Sequence, residues 1–578
     1  MRRAGLKRLT GTSAIFSAAL LVSCMANPGP APTVDEQEEL VDASADDEPS
    51  ADKEADKASD DDAEVADGIE DEEGPDRSSM SVGIDPFQLG FNPHLVADDT
   101  ELVDALADLV LPSAFHGNII DSDVLNSARE IDAPPGVAQR VRYSIKDGAQ
   151  WSDGTPITGA DFDYLFKEMV STPGVREVAP YRAISALNIS AGGSIVTVDF
   201  STRVADWHRL FTQLLPSHLL ESGQFDRVLE SAIPASAGKF SVASIDQARG
   251  LITLNRNDRF WGKNPAKIDV VQLRAIRSTS QAANLLRSEQ VSFVDISPTQ
   301  TLKEQLSLLG DISTESANPS RQLRLSLSTQ SQVLESPQLR RTMLSLIDTR
   351  QLARLATERD VDLRVPYGGN PLLDSSSEEE IAVLAAATKD NPLRIAVDPT
   401  EQAAGIAAMT LVDMLRIEGI EARVVENRMT SIVEEALPEG EVDAVISTAD
   451  TSVTATNVAS FFTCHADEKT AAAAASTTAA PTSAEPAPTK SESPASTQQK
   501  LWSGNLSLAC ANDFDDRAQG ILSGEISAQQ GLEMIRQVNR EQAFYLPLID
   551  ETRIRAFDED YLGGSLSTLD EIDGRSSK

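Results

Sequence analysis

The stretch VRYSIKDGAQWSDGTPITGADFDYLFK, residues 141–167, decides how the rest of the chain is read. Val141, Tyr143 and Ile145 alternate with Arg142, Ser144 and Lys146, the period-two pattern of a half-buried strand. Asp147-Gly148 stops that strand, and Asp153-Gly154 and Thr155-Pro156 add two turn signals. Thr158 is placed to cap a helix, with Asp161 three residues later as the carboxylate of a capping box. Asp161 and Asp163 fall in the first helical turn, where the helix dipole favours negative charge. From Phe162 onward, Leu165, Phe166, Met169 and Val170 share one helical face. Locally this is a strand–turn–helix unit, and Trp151 reads as a packing residue in the turn.

The chain has 578 residues, which is too long for a single core and predicts several domains. Its formal net charge of −40 excludes a nucleic-acid or anionic-membrane surface as the main partner, because the chain would repel phosphate. The acid is concentrated: residues 31–80 hold 21 Asp+Glu against 3 Lys+Arg, a net 3 − 21 = −18. Such a tract, nearly free of aromatic and β-branched residues, cannot bury enough apolar area to offset its ordering entropy. Residues 24–79 therefore read as an extended, disordered tether. A metal-binding acidic tail is the other reading, but nothing in the tract fixes a coordination geometry.

At the N-terminus, Arg2, Arg3, Lys7 and Arg8 precede the apolar run Leu9 to Val22. That run is shorter than the roughly 20 residues a membrane span requires, so residues 1–23 read as a signal peptide. The sequence Leu21-Val22-Ser23-Cys24 resembles a bacterial lipobox. The resemblance implies cleavage before Cys24, a lipid on its sulfur, and a body tethered to the extracytoplasmic face of the cell membrane. An ordinary signal peptide with a chance cysteine is the alternative. Cys464 and Cys510 remain for the folded part, the arithmetic of one disulfide in an exported protein; two free thiols or a metal pair are the alternatives.

Further strand and helix patterns alternate along the body. Strands are expected at 81–84, 251–257, 268–276, 291–296, 323–327, 393–398, 420–425 and 443–446, and a hairpin at 184–201. Helices are expected at 100–110, 207–215, 280–288, 336–350, 401–418 and 528–541. Residues 466–500, rich in Ala, Thr, Ser and Pro, read as a disordered insertion. A bridge from Cys464 to Cys510 would clamp its base.

The order strand, Lys146-Asp147-Gly148, Trp151-Ser152-Asp153-Gly154-Thr155-Pro156, then a helix opening with Asp161-Phe162, resembles the peptide/nickel class (family 5) of solute-binding proteins that serve ABC importers. Asn92-Pro93-His94, Gly238-Lys239-Phe240, Arg256-Asn257, Phe260-Trp261-Gly262 and Val365-Pro366 extend the likeness over roughly residues 81–557. The resemblance implies an α/β, two-lobed periplasmic-binding-protein-like fold (type II, cluster C) with an extra third domain. Domain I is then discontinuous, 80–112 plus 233–325 plus 540–565. Domain II is 113–232, and domain III is 326–539 including the insertion. Residues 544–548 resemble the family's closing strand, which rejoins the first lobe. By position in the family fold, the cleft residues are Asn92, His94, Phe115, Thr448, Asp450 and Asn457, each with a structural role as its alternative. The family also implies a monomer; no cofactor is expected, and no cluster of residues around His94 suggests a metal.

Peptide-binding members carry a Trp, an Asp that pairs with the peptide amino terminus, and an Asp-Pro after the strand at 443–446. Here residues 447–457 read STADTSVTATN, without the Trp or the Asp-Pro, and Asp450 alone supplies a carboxylate. A buried ammonium needs a charged partner to offset its desolvation, so a generic peptide ligand is in question. Residues 83–94 and 105–115 and the late cysteine pair resemble a narrower group of mycobacterial and corynebacterial lipoproteins. That group implies regulation of phosphatidylinositol mannoside, lipomannan and lipoarabinomannan synthesis through a membrane mannosyltransferase, with a glycolipid ligand. The alternative is the substrate-binding component of an ABC importer for oligopeptides or a related solute, partnered by an ABC permease. An enzyme is not expected: there is no Gly-x-Ser-x-Gly, no His-Glu-x-x-His and no phosphate-binding glycine loop, and His94, His116, His208, His218 and His465 are scattered.

Overall fold

The computed structural model describes residues 77–88, 90–366, 376–464 and 505–558, together with Leu566 and Leu569. The signal segment, Cys24, His465, most of the acidic tether and the 466–500 insertion lie outside the described residues.

The 141–167 unit folds as its sequence dictates. The strand Gln139–Ile145 buries Val141, Tyr143 and Ile145, and the helix Gly159–Ser171 follows the turn. Thr158 and Asp161 form a complete capping box. Trp151 and Tyr143 are fully buried, the Tyr143 ring meeting Phe162, Trp207 and Phe211. Asp161 has a second role that its spacing did not announce. Its Oδ2 accepts from the Thr158 amide at 2.9 Å, while Oδ1 accepts the Ser217 hydroxyl at 2.7 Å and the Ser217 amide at 3.1 Å. The cap thus ties the helix to a loop 56 residues away. Replacing Asp161 by Ala orphans these donors in a buried site. It should cost about 2–3 kcal/mol in urea unfolding, against about 1 kcal/mol for a simple exposed cap. A loss under 1 kcal/mol would show that Ser217 finds another acceptor.

Among the described residues the strands form three main sheets. The four-stranded antiparallel sheet runs Leu125–Ile131, Gln139–Ile145, Ile195–Phe200, Ile184–Ser190. The seven-stranded sheet runs Ile312–Ala317, Arg553–Asp558, Phe293–Ile296, Ser79–Ile84, Val270–Ala275, Leu251–Arg256, Phe240–Asp246. Its central strand is parallel to both neighbours, so helix-bearing connections must cross its face. Gly238 lies so close to the helix Glu101–Val110 that a Cβ there would collide with the Leu109 carbonyl. The five-stranded sheet runs Ala422–Glu426, Leu393–Val397, Ala444–Asp450, Arg321–Leu327, Tyr545–Asp550, with the helix Gln402–Ile417 as a crossover. One apolar core is shared by the seven- and four-stranded sheets, and a separate core backs the five-stranded sheet. The fold is α/β, with mixed sheets flanked by helices.

Three local expectations are corrected. The helix expected at 207–215 is only a 3₁₀ turn, Trp207–Arg209. Beyond it Phe211 and Gln213 adopt positive φ, and the backbone bonds elsewhere: Leu214 N to Pro112 O, Phe211 N to the Tyr181 hydroxyl, Gln213 N to the Ser113 hydroxyl. Tertiary partners replace the i→i−4 ladder in this segment, where Trp207, Leu210, Phe211, Leu214 and Leu215 are buried. The helix expected at 336–350 is two, Pro337–Ser345 and Thr349–Thr357, because Asp348 caps a fresh start by accepting from the Gln351 amide. The strand at 544–548 does not rejoin the first sheet. Tyr545–Asp550 is an edge of the five-stranded sheet, where Pro547 sits opposite a bulge at Leu323/Arg324. An edge tolerates a residue without an amide hydrogen. The next strand, Arg553–Asp558, makes the return.

Two short segments join the seven- and five-stranded sheets, between Ala317 and Arg321 and between Asp550 and Arg553. They lie side by side, the Glu551 amide donating to the Arg321 carbonyl at 3.0 Å.

Candidate functional site

Where the two sheets meet, two cavities open beside these segments, of about 440 and 480 Å³. They share Asp99, Thr448 and Asp550 as a common wall. The first has an apolar side built from Phe87, Leu102, Leu323 and Met429, and a carboxylate-rich side. The second is polar, with Gln322, Asn457, Asn505 and three arginines, Arg176, Arg324 and Arg536. The Arg324 guanidinium lies 4.9 Å from the centre of the Tyr545 ring, which also lines it.

An ion cluster builds the shared wall. Arg321 is the first residue of its strand, on the same inward face as Leu323, Leu325 and Leu327. It pairs with Asp99 and Asp104, and Arg176 reaches both carboxylates at 3.1 Å. Two cations against two anions offset one another's desolvation. A second cluster sits at the return strand: Arg553 meets Asp295 at 2.7 Å, Glu101 at 2.9 Å and Asp85 at 3.0 Å, and Arg555 adds a 3.0 Å contact to Asp295.

On the carboxylate side of the first cavity, burial pushes the Asp98 carboxyl up to about 6 even though the Asn92 amide donates to it. Burial, with the neighbouring Asp398 charge, pushes Glu401 up to about 7. Glu401 therefore folds holding a proton that the unfolded chain releases above its ordinary value of 4.5. Its contribution is complete below that value and is lost as pH rises through about 7. Glu401→Gln should accordingly stabilise the protein by about 1–3 kcal/mol near pH 8.5 and change little near pH 5. Equal melting shifts at both pH values would contradict this placement.

The six residues expected in the cleft separate into two groups. Thr448, Asp450 and Asn457 line the polar cavity, and Thr448 lines both. Thr448 donates its amide and hydroxyl to Glu401. Asp450 accepts the amide and hydroxyl of Ser452, each at 2.7 Å, so its carboxylate closes its own turn. Asn457 donates to the Ser452 carbonyl at 2.9 Å. Asn92, His94 and Phe115 line neither cavity. Asn92 donates to the Phe225 carbonyl at 2.9 Å. His94 stacks on Phe225, and its Nε2–H donates to the Gln213 carbonyl at 3.0 Å. Burial lowers its pKa to about 4, which keeps it neutral. Phe115 packs edge-on against Trp207 and His208. Asn92 and His94 lie in a loop held by Phe225 and Gln213, and Phe115 in the short strand Phe115–His116 packed on Trp207 and His208, contacts that spacing along the chain cannot reveal. Asp99, Arg176, Arg321 and Glu401 were missed; for Arg321 the alternation with three leucines was the available signal.

The family described as bacterial extracellular solute-binding proteins, family 5, matches residues 137–469, and the chain belongs to it. It is 32% identical over 293 residues to the "Probable monoacyl phosphatidylinositol tetramannoside-binding protein LpqW" of Mycobacterium tuberculosis, covering 49% of this chain and 46% of that protein. The match therefore spans about half of that relative. It is 27% identical over 209 residues to the "Oligopeptide-binding protein OppA" of Mycobacterium bovis, covering 33% and 34% of the two chains. Among solved structures, the nonapeptide complex of AppA from Bacillus subtilis aligns with a TM-score of 0.60 at 15% identity, covering 87% of this chain and 99% of that one. The agropinic acid complex of AgaA from A. tumefaciens aligns at 0.61 and 13%, covering 86% and 97%. These two share the fold.

Proposed function

We propose that the chain is an extracytoplasmic solute-binding protein, lipid-anchored through Cys24, that takes a mannosylated phosphoinositol head in its paired cavities. On this reading it regulates phosphatidylinositol mannoside, lipomannan and lipoarabinomannan synthesis by contacting a membrane mannosyltransferase. The observation that carries the choice over a peptide is Asp450. Its carboxylate already accepts the amide and hydroxyl of Ser452 and closes its own turn, and the Trp and Asp-Pro that accompany this Asp in peptide-binding members are absent from residues 447–457. The cavity offers instead an aromatic ring, side-chain amides and arginines, groups that stack on sugar faces and bond to hydroxyls. The relative named for binding a phosphatidylinositol tetramannoside supports the same choice.

The three-domain division with boundaries near 112, 232, 325 and 540 belongs to this reading. So do a monomeric state, Thr448 and Asn457 as ligand contacts, and closure of the cavities by bending at the two crossing segments. No bond is made or broken in it. Importing oligopeptides with an ABC permease is the second reading, favoured by the likeness to the oligopeptide-binding relative. A deletion strain separates them. Loss of lipomannan and lipoarabinomannan on thin-layer chromatography, with normal uptake of labelled oligopeptides, is the expected result. Unchanged glycolipids with lost uptake would replace it by the importer.

A further inference from the structure

Beside the polar cavity, and sharing Asp550 and Pro366 with it, lies a third space of about 440 Å³. Three arginines line it, Arg350, Arg354 and Arg364, against two carboxylates, Asp360 and Asp550. Both carboxylates are engaged. Asp360 pairs with Arg354. Asp550 accepts from the Gln322 side chain at 2.6 Å. The side chains of Arg350 and Arg364 have no hydrogen-bond or carboxylate partner among the described residues.

Nothing in local structure favours this arrangement. Arg350 and Arg354 stand four residues apart on the helix Thr349–Thr357, a like-charge spacing that destabilises a helix. Arg364 is drawn to the same place by its backbone, whose carbonyl accepts the Asp550 amide at 2.9 Å. Leu363 and Val365, both partly buried, give the space an apolar side. In a chain of net charge −40, three guanidinium groups lining one space, two of them without a partner among the described residues, are a local reversal of sign.

We infer that this arginine-lined space is an anion subsite at the mouth of the polar cavity, where Arg350, Arg354 and Arg364 hold a phosphate or carboxylate group of the bound solute. Guanidinium forks fit both oxyanions in bidentate geometry. The inference rests on the proposed use of the polar cavity as the solute site and adds the charge of what it takes. A phosphodiester on a glycan and the carboxylate terminus of a peptide present the same chemistry, and the test tells them apart.

Calorimetric titration of the full chain with paired probes decides it. One pair is the water-soluble glycan released from a phosphatidylinositol mannoside, with and without its phosphate. The other is a pentapeptide with a free or an amidated carboxyl terminus. The charged member of one pair should bind about tenfold more tightly than its neutral counterpart, with the advantage shrinking as salt is raised. An advantage in the first pair identifies a phosphate, in the second a carboxylate. In the double variant Arg350→Gln/Arg364→Gln the advantage should vanish while the neutral member binds as before; both side chains are exposed, so the fold should tolerate the change. Arg350→Lys/Arg364→Lys should keep part of it. Equal binding of charged and neutral members, or an advantage that survives in the Gln variant, overturns the subsite and leaves the solute cavity standing. Failure of all four probes to bind overturns both.

Discussion

Replacing Arg553 by Met should lower the stability of the protein by about 3–5 kcal/mol in urea unfolding. The reason is what the arginine leaves behind. Asp295 is fully buried and meets Arg553 at 2.7 Å; Glu101 and Asp85 lie within 3.0 Å of the same guanidinium. Without Arg553, Asp295 and Glu101 are left with Arg555, and Asp85 and Glu551 lose their contact to this guanidinium as well. Glu101 is already pushed up by burial and by Asp295, so losing Arg553 drives it further toward the neutral form. Adding Asp295→Asn to Arg553→Met should recover part of the loss, because the orphaned charge goes with it. A single-variant loss below about 1 kcal/mol, or no recovery in the double variant, would show that this cluster does not hold the return strand in place.

Removing the bridge between Cys464 and Cys510 by Cys→Ser at both positions should cost about 4 kcal/mol, the chain-entropy value for a closed loop of this length. The two cysteines are 46 residues apart in sequence with Cα atoms 5.4 Å apart. The bridge joins the end of the helix Ala455–Phe461 to the segment that carries Asn505, Leu506 and Ser507 into the polar cavity wall. Asn505 also donates to the Phe461 carbonyl at 3.2 Å, so the bridge and this bond work on the same contact. Reduction should therefore weaken solute binding together with stability. A double variant as stable as the parent would mean that folding of this wall does not depend on the bridge.

Much of the frame was legible because its causes are local. The 139–171 unit, the hairpin at 184–200 and the crossover 393–426 follow from alternation, turn residues and caps within a few positions of each other. The cysteine pair followed from counting. The site was half legible. Thr448, Asp450 and Asn457 lie on the strand and helix that the family likeness pointed to, and they reach the cavity. Asn92, His94 and Phe115 come from the correct neighbourhood in sequence but turn into the core, because Phe225, Gln213 and Trp207 close over them from more than 90 residues away.

What the sequence determined by itself was the class of fold, through its likeness to the family, the cap and turn positions, and the absence of the Trp and Asp-Pro of peptide-binding members from residues 447–457. The caps and turns depend on spacings shorter than one element. The tertiary structure alone decided which strand of the last pair returns to the first sheet, because the interruption at Pro547 and the ion partners of Arg553 lie on strands far apart in sequence. It also decided that Arg321, Asp99 and Arg176 build one wall between two cavities and that Arg350, Arg354 and Arg364 line one space with Asp550. Charges from separate segments become a site only when packing brings them within a few ångströms, where they no longer act through water.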